Sequence, residues 1–554
     1  MRSYHTLAAA VLTLAGLAAC NAPEPNAVAP ADWVLTNGQI LTVDADFSIV
    51  QAIAIRDDRV LATGSDEQIM ALVGRDTEVT DLAGQTVVPG LIDNHMHFVR
   101  ATQQWYRHVR WDGINSRVQA LEMIGERASM LPEGEWVVVI GGWNFGQFHD
   151  NSEAFTLAEL DAAAPDTPLY IQEGYRRGFA NSAALAAAGV TSETVIPARD
   201  SLVRDDAGNL TGQLAGPAMS LVTDFIPAVA DDVWYASLQQ TVSSMHAMGL
   251  TTIYDVGGNS VTPAHYDAVK RAAANNDSSM RVFYSLNGQT GVGGGSAEEI
   301  IAALESLSPD TTGLRFAQFG YGETIYRPLR AQPWQISQED LDKLEAIAIA
   351  AVENGWQLHE HSQRDEKIRD MLSAFERVNE THPIGDSRWT IAHTDGISPD
   401  SILRAIDLGM VFAVHASRRN VSPQRVRSAG EAGLHMPPAR TIHELGGVWG
   451  LGSDATTVAS PNPFHTLGWV VSGRSGSGAR TLADTVSREA ALTAHTRTNA
   501  YILFREDDLG SLEPGKLADF AVLDRDYMTV PEAEIENLYS VMTVVGGEIA
   551  YSEL

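Results

Sequence analysis

Residues 31–44 (ADWVLTNGQILTVD) and 51–64 (QAIAIRDDRVLATG) alternate apolar and polar positions. That two-residue period is the mark of a half-buried strand, and the Asn-Gly and Asp-Asp pairs supply turn chemistry. The same period returns at 516–526 and 540–551. The pattern predicts a small β-sandwich domain, residues 32–88 and 499–554, assembled from both ends of the chain. Between them the rhythm changes. Short apolar runs alternate with longer stretches of helical period, such as 338–355 and 366–380, which is the signature of repeated strand–helix units. Eight runs qualify as strands: 86–92, 251–256, 280–285, 314–319, 356–361, 389–393, 410–415 and 448–451. Eight such units close into a (β/α)8 TIM-like barrel, here predicted over 89–498. The interval 105–245 is too long for one unit and carries further apolar runs at 135–143 and 167–175. It reads as a subdomain inserted after the first strand. The expected fold class is α/β.

The polar residues that close these runs carry the chemistry. In PGLIDNHMHF (89–98), His95 and His97 are two apart and face one side of an extended strand end. Two imidazoles converging on one point are half of a metal site. Taken alone, they are equally two histidines of a loop or core. Glu323 follows the fourth run, His359 and His361 end the fifth, His393 the sixth and His415 the seventh, and Asp454 follows the eighth. All fall at the C-terminal strand ends, the face on which such barrels carry catalysis. Four imidazoles with carboxylates can hold one or two divalent ions and leave a position for water. Asp454, in SDATT, also reads as a helix cap.

Composition changes this picture in two ways. With 38 basic and 70 acidic residues, the formal charge is −32, which disfavours nucleic acid and anionic lipid as partners. The single cysteine, Cys20, excludes an intrachain disulfide. It closes MRSYHTLAAAVLTLAGLAAC, which has an early Arg2, an apolar run too short to span a bilayer, and Leu17-Ala18-Ala19-Cys20. That ending resembles a bacterial lipobox, so residues 1–20 are expected to be a lipoprotein signal peptide. The Pro/Ala-rich 21–31 would be a tether, and Asn21 after the cysteine fits an outer-membrane, periplasm-facing address.

VVPGLIDNHMH (87–97), GLTTIYDVGG (249–258), WQLHEHSQRD (356–365), WTIAHTDGISPD (389–400), LGSDATT (451–457) and LGSLEPGKLADFAVLD (509–524) together resemble the metal-dependent amidohydrolase superfamily. NSAALAAAGV (181–190) and AGNLTGQL (207–214) are similar to its YtcJ-like branch, which includes N-substituted formamide deformylases. The resemblance implies that His95 and His97 bind the more buried metal with Asp454. His361 and His393 would bind a second ion, or contact the substrate if there is one ion. Asp454 would act as general base and then acid. The branch usually has a bridging carboxylated lysine on strand four. Here that segment, GLRFAQFGYGETIY, has no lysine, and the matching position lies near Gln318. Glu323 is either the replacement bridge or a carboxylate outside a one-metal site. Trp143, Arg176 and His415 are candidate substrate contacts. Arg176 stands where the branch often has histidine and could hold a carboxylate. His359 is expected to be a core histidine and His465 structural.

The expectation is a metal-dependent hydrolase of carbon–nitrogen bonds, acting on linear N-acyl or N-formyl amides with one or two divalent ions, zinc by default. A lactone or ester hydrolase, a deaminase and a non-catalytic surface binding protein are the alternatives. The expected partner is a small-molecule substrate, with no nucleic acid, and with membrane contact only through a lipid on Cys20. A homodimer is left open. Cys20→Ser should move the mature protein from the membrane pellet to the soluble fraction. A wild-type protein that is already soluble and keeps Met1 would refute the anchor.

Overall fold

The computed structural model describes residues 29–196, 201–258, 261–287, 295–330, 335–416, 419 and 426–554. Cys20, the segment before it and residues 21–28 lie outside the described residues.

Eight parallel strands form a barrel: Leu91–Met96, Leu250–Asp255, Arg281–Leu286, Phe316–Glu323, Gln357–Ser362, Thr390–His393, Val411–His415 and Trp449–Gly452. Each is buried on both faces, as a sheet wrapped by helices must be. The expected helices are present as Gln338–Glu353 and Asp365–Asn379. Their inner faces, Leu344, Ile347 and Ala351 on one and Ile368, Leu372 and Phe375 on the other, are fully buried at helical spacing. The barrel interior is filled from below by Ile92, Phe283 and Phe319 against Ile502, Leu503 and Leu509. Helix Arg497–Ile502, expected in the sandwich, is therefore part of the barrel.

The ladder runs round the barrel from Trp449–Gly452 to Leu91–Met96 and does not continue between those two strands. At the mouth they share two main-chain bonds, Asp454 N–H to the His95 carbonyl and His97 N–H to the Ala455 carbonyl, both 2.9 Å. Below that, side chains replace the ladder. Asn499 donates to the Ile92 carbonyl at 2.6 Å and to the Leu451 carbonyl at 2.7 Å, and accepts from Asn94 Nδ2 at 2.7 Å. Asp93 accepts from the N–H groups of Ser453 and His95, both at 3.1 Å. The glycines of WGLGSD make room for these amides. A Cβ on Gly450 would stand 1.9 Å from Asn499 Oδ1, and one on Gly452 would stand 2.4 Å from Asn94 Oδ1.

The first expected strand, 86–92, is two strands. Thr86–Pro89 lies in a six-stranded sheet between Gln39–Leu41 and Phe520–Leu523, and the chain enters the barrel only at Leu91. The division falls at Gly90, where a Cβ would stand 2.3 Å from Thr251 Oγ1. That sheet faces a four-stranded one made of Arg59–Gly64, Ala52–Arg56, Ala31–Thr36 and Val73–Asp81. Trp33, Leu35, Ile53, Val87, Phe520 and Val544 fill the space between them. The insertion forms a five-stranded sheet that includes Val137–Ile140 and Leu169–Glu173. Its expected end at 245 is too late. Helix Asp231–His246 buries Leu238, Val242 and Met245 in the main barrel core.

Replacing Asn499 by Ala takes from the buried Leu451 carbonyl its side-chain donor, at about 1–3 kcal/mol, and leaves the Ile92 carbonyl with His495 alone. Asn499→Ala should therefore lower the urea midpoint of the barrel well below that of a surface control such as Asn209→Ala. Equal midpoints would show that the seam is held by packing alone.

Candidate metal centre

The strand ends bring together five imidazoles and two carboxylates. His95, the fifth residue of the first strand, is fully buried, and His97 follows the strand's end. His95 Nδ1 meets His359 Nε2 at 2.8 Å, and His97 Nδ1 meets the Gly257 carbonyl at 2.7 Å. Each ring is thus fixed through Nδ1 and presents Nε2 to the centre. His359 and His361 share a strand face at two-residue spacing, with His359 the deeper. His359 is a core histidine, as expected, and its function is to support His95.

Glu323 ends the fourth strand and lies between the histidines. Its Oε1 is 2.5 Å from His361 Nδ1 and 3.8 Å from His393 Nε2, while its Oε2 is 3.6 Å from His97 Nε2. Asp454 Oδ1 lies 3.4 Å from His97 Nε2 and 3.8 Å from His95 Nε2, and its Oδ2 is 3.8 Å from His393 Nδ1. His415 joins the cluster itself: its ring centre is 4.0 Å from that of His95 and 4.3 Å from that of His393. Asp454 caps no helix. The next helix begins at Pro463 and is capped by Asn462. Asp454 and His393 both hold left-handed backbone, φ 60° and 70°, a cost that surrounding structure sustains where side-chain aim matters.

Two expectations need correction. Gln318 does not occupy the missing lysine's place. It faces Tyr284, whose hydroxyl donates to it at 3.2 Å, on the helix side of the sheet. Phe319 is an extra residue in the ladder, since Tyr284 pairs with Gln318 and Ser285 with Gly320. After this bulge the alternation is reversed, with Gly320 inside against Tyr254 and Tyr321 in the outer core, and Glu323 reaches the histidines from the strand's last position. Trp143 does not join the cluster either. It packs among Trp111, Phe145, Phe148 and Phe155 in the core of the insertion. Arg176 is exposed on the turn between Leu169–Glu173 and Arg177–Ala180. His465 is buried, with its pKa pushed down to about 3 by burial and by Arg419, in keeping with a structural place. Sequence reading missed Arg330, whose Nη1 lies 3.4 Å from Glu323 Oε1, and Arg100, three residues beyond His97.

The electrostatics prepare the cluster for a cation. Burial, reinforced by His415 and His359, holds the His95 pKa well below its ordinary value; burial with His361 and His415 does the same to His393. Both rings are therefore neutral, with lone pairs to offer. Burial opposes ionisation of Glu323, but the hydrogen bond from His361, with His393 and His97 close by, outweighs it and holds its pKa far down. Burial and Arg100 push His97 down, and Asp454 and Glu323 together overcome them and leave it raised. His95 Nε2 and both ring nitrogens of His393 are buried without a hydrogen-bond partner. Such atoms are costly unless something binds them. Three trios have donor atoms mutually within 4.8 Å: His95, His97 and Glu323; Glu323, His361 and His393; and His95, His393 and His415. These nitrogen and oxygen donors fit a divalent transition ion.

A (β/α)8 barrel with this cluster at its C-terminal mouth defines a metal-dependent hydrolase. The family model of the amidohydrolases matches residues 78–551, and the chain belongs to the amidohydrolase family. It is 26% identical to the N-substituted formamide deformylase of Arthrobacter pascens, over 94% of this chain and 98% of that one. It is 27% identical to Protein LONG AFTER FAR-RED 3 of Arabidopsis thaliana, over 95% and 93%. Among solved structures, a metal-dependent hydrolase of Pyrococcus horikoshii shares the fold, with a TM-score of 0.63 at 20% identity over 90% of this chain and 99% of that one.

Glu323 belongs to two of the trios, as do His95 and His393, and of these three it alone would bring the negative charge that two neighbouring dications need. Under identical metal loading, Glu323→Gln should bind one ion fewer than wild type by elemental analysis. Equal stoichiometry in both proteins would remove the bridging role.

Proposed function

We propose that the protein hydrolyses carbon–nitrogen bonds of linear N-acyl or N-formyl amides at a zinc centre held by His95, His97, Glu323, His361, His393 and Asp454. The observation that carries this reading is the position of Asp454, whose two oxygens face His95 and His97 on one side and His393 on the other. When bound, zinc would acidify a water molecule and polarise the amide carbonyl. Asp454 takes the proton of the attacking water and passes it to the departing nitrogen, which leaves as an amine. Glu323, engaged by His361 and Arg330, stays ionised and holds positive charge in the centre. His359 and the Gly257 carbonyl keep the two rings of the HxH pair in their tautomers. The name of the Arthrobacter pascens relative supports a linear amide as substrate. On the strength of the Cys20 lipobox, we place this activity on a lipid-anchored protein facing the periplasm.

The test is a zinc-replete screen of N-formyl amines, N-acyl amines, N-acyl amino acids and lactones. Amide cleavage releasing a free amine is the expected result, and cleavage of lactones alone would overturn the reading. Asp454→Asn should reduce kcat by about 10²–10⁴-fold with the fold intact.

A further inference from the structure

Arg100 sits in the short helix Phe98–Thr102 that leaves the HxH strand. Its Nη2 donates to the Tyr175 hydroxyl at 3.0 Å and to Thr457 Oγ1 at 3.5 Å. Tyr175 comes from the exposed hairpin of the insertion, and Thr457 lies three residues beyond Asp454. Both partners are neutral. Among the described residues, no carboxylate forms an ion pair with Arg100, although the chain has 70 acidic residues against 38 basic ones. Several other buried or part-buried arginines are matched: Arg110 with Asp112, Arg117 with Glu159, Arg281 with Asp519 and Arg388 with Glu506. Those without a carboxylate, such as Arg505 and Arg488, donate to main-chain carbonyls instead. The carboxylates closest to the centre, Asp454 and Glu323, are turned to the imidazoles, and Glu323 already has Arg330.

The guanidinium also lies beside His97, on the Nδ1 side of a ring whose Nε2 faces the centre. A Cβ on Gly258 would stand 2.9 Å from His97 Nδ1 and 3.7 Å from Arg100 Nη1, so one small residue separates the two side chains. The Nη2 edge is tied to the insertion hairpin and to the loop after Asp454. Nη1 and Nε have no acceptor among the described residues. A guanidinium held by one edge and without a carboxylate partner has a second edge of the right geometry to take a carboxylate.

We propose that the substrate carries a carboxylate a few bonds from the scissile amide, as in an N-acyl amino acid, and that Arg100 binds it, with Tyr175 and Thr457 holding the guanidinium in place. This names the substrate class of the amide hydrolase reading and rests on it. Arg100 replaces Arg176 as the anion-binding arginine. Arg176 stands one residue beyond Tyr175 on the exposed turn, where it adds positive charge to the same hairpin.

Binding separates the two claims. The zinc-loaded Asp454→Asn protein, full chain, is titrated calorimetrically with N-acetylalanine of each hand and with N-acetylalaninamide, which has the same shape without the charge. At least one enantiomer of the acid should bind about tenfold or more tighter than its amide, the scale of a charge-assisted contact. Arg100→Met in the same background should erase that preference, and Arg100→Lys should weaken it while keeping the positive charge. Equal affinity for acid and amide, binding of neither, or a preference untouched by both substitutions would overturn the assignment. Failure of the wild-type protein to cleave any amide would instead overturn the hydrolase reading, because the acid-to-amide binding ratio does not depend on turnover.

Discussion

The site depends on how the first and last barrel strands are joined. Parallel strands brought round to meet must agree in register, and here a continuous ladder is not what sets it. Asn94, Asn499 and Asp93 form a buried polar clasp, and two main-chain bonds complete it at the mouth. One of those bonds runs from Asp454 N–H to the His95 carbonyl, so the proposed general base and the first metal-site histidine share a hydrogen bond across more than three hundred residues of sequence. A buried polar network specifies one arrangement where an apolar contact would allow sliding. The positions of His95, His97 and Asp454 relative to one another are therefore fixed before any ion is considered.

The charge in the cluster follows from burial. His95 and His393, crowded in a dry space, avoid protonation, whereas Glu323 stays ionised among nitrogen donors. These two neutral rings and the anion are in the state a divalent cation needs. The strongly acidic surface adds a background field of the same sign as that anion. Against that background an arginine at the rim without a carboxylate partner is conspicuous. Hydroxyl contacts position it without cancelling its charge.

Much of this was legible in the chain. Seven of the eight barrel strands, the HxH pair, His361, His393 and Asp454 all followed from period and strand-end placement, because such patterns survive folding unchanged. Features that depend on a single-residue change of phase were not legible. The bulge at Phe319 shifts the phase of strand four, which a two-residue period does not show, and one glycine divides the apolar run 86–92 into two strands. Nor can spacing reveal neighbours across strands. His415, a candidate substrate contact by its place at a strand end, has its ring against those of His95 and His393. Trp143 lay in a pattern equally suited to a pocket wall and to a core, and the aromatic cluster of the insertion claimed it.

The sheet that joins Gln39–Leu41 and Thr86–Pro89 to Phe520–Leu523 has a temporal consequence. A ribosome makes the early strands long before their partner, and the helix bearing Asn499 is also late. The insertion, whose five strands all lie between Val137 and Ala215, can pair within itself as soon as it is made. The barrel and the six-stranded sheet must wait for almost the whole chain. Non-local pairing of this kind is slow and leaves strand edges open meanwhile. During its synthesis the insertion can therefore order well before the barrel and the six-stranded sheet, whose last partners arrive only with the final residues of the chain.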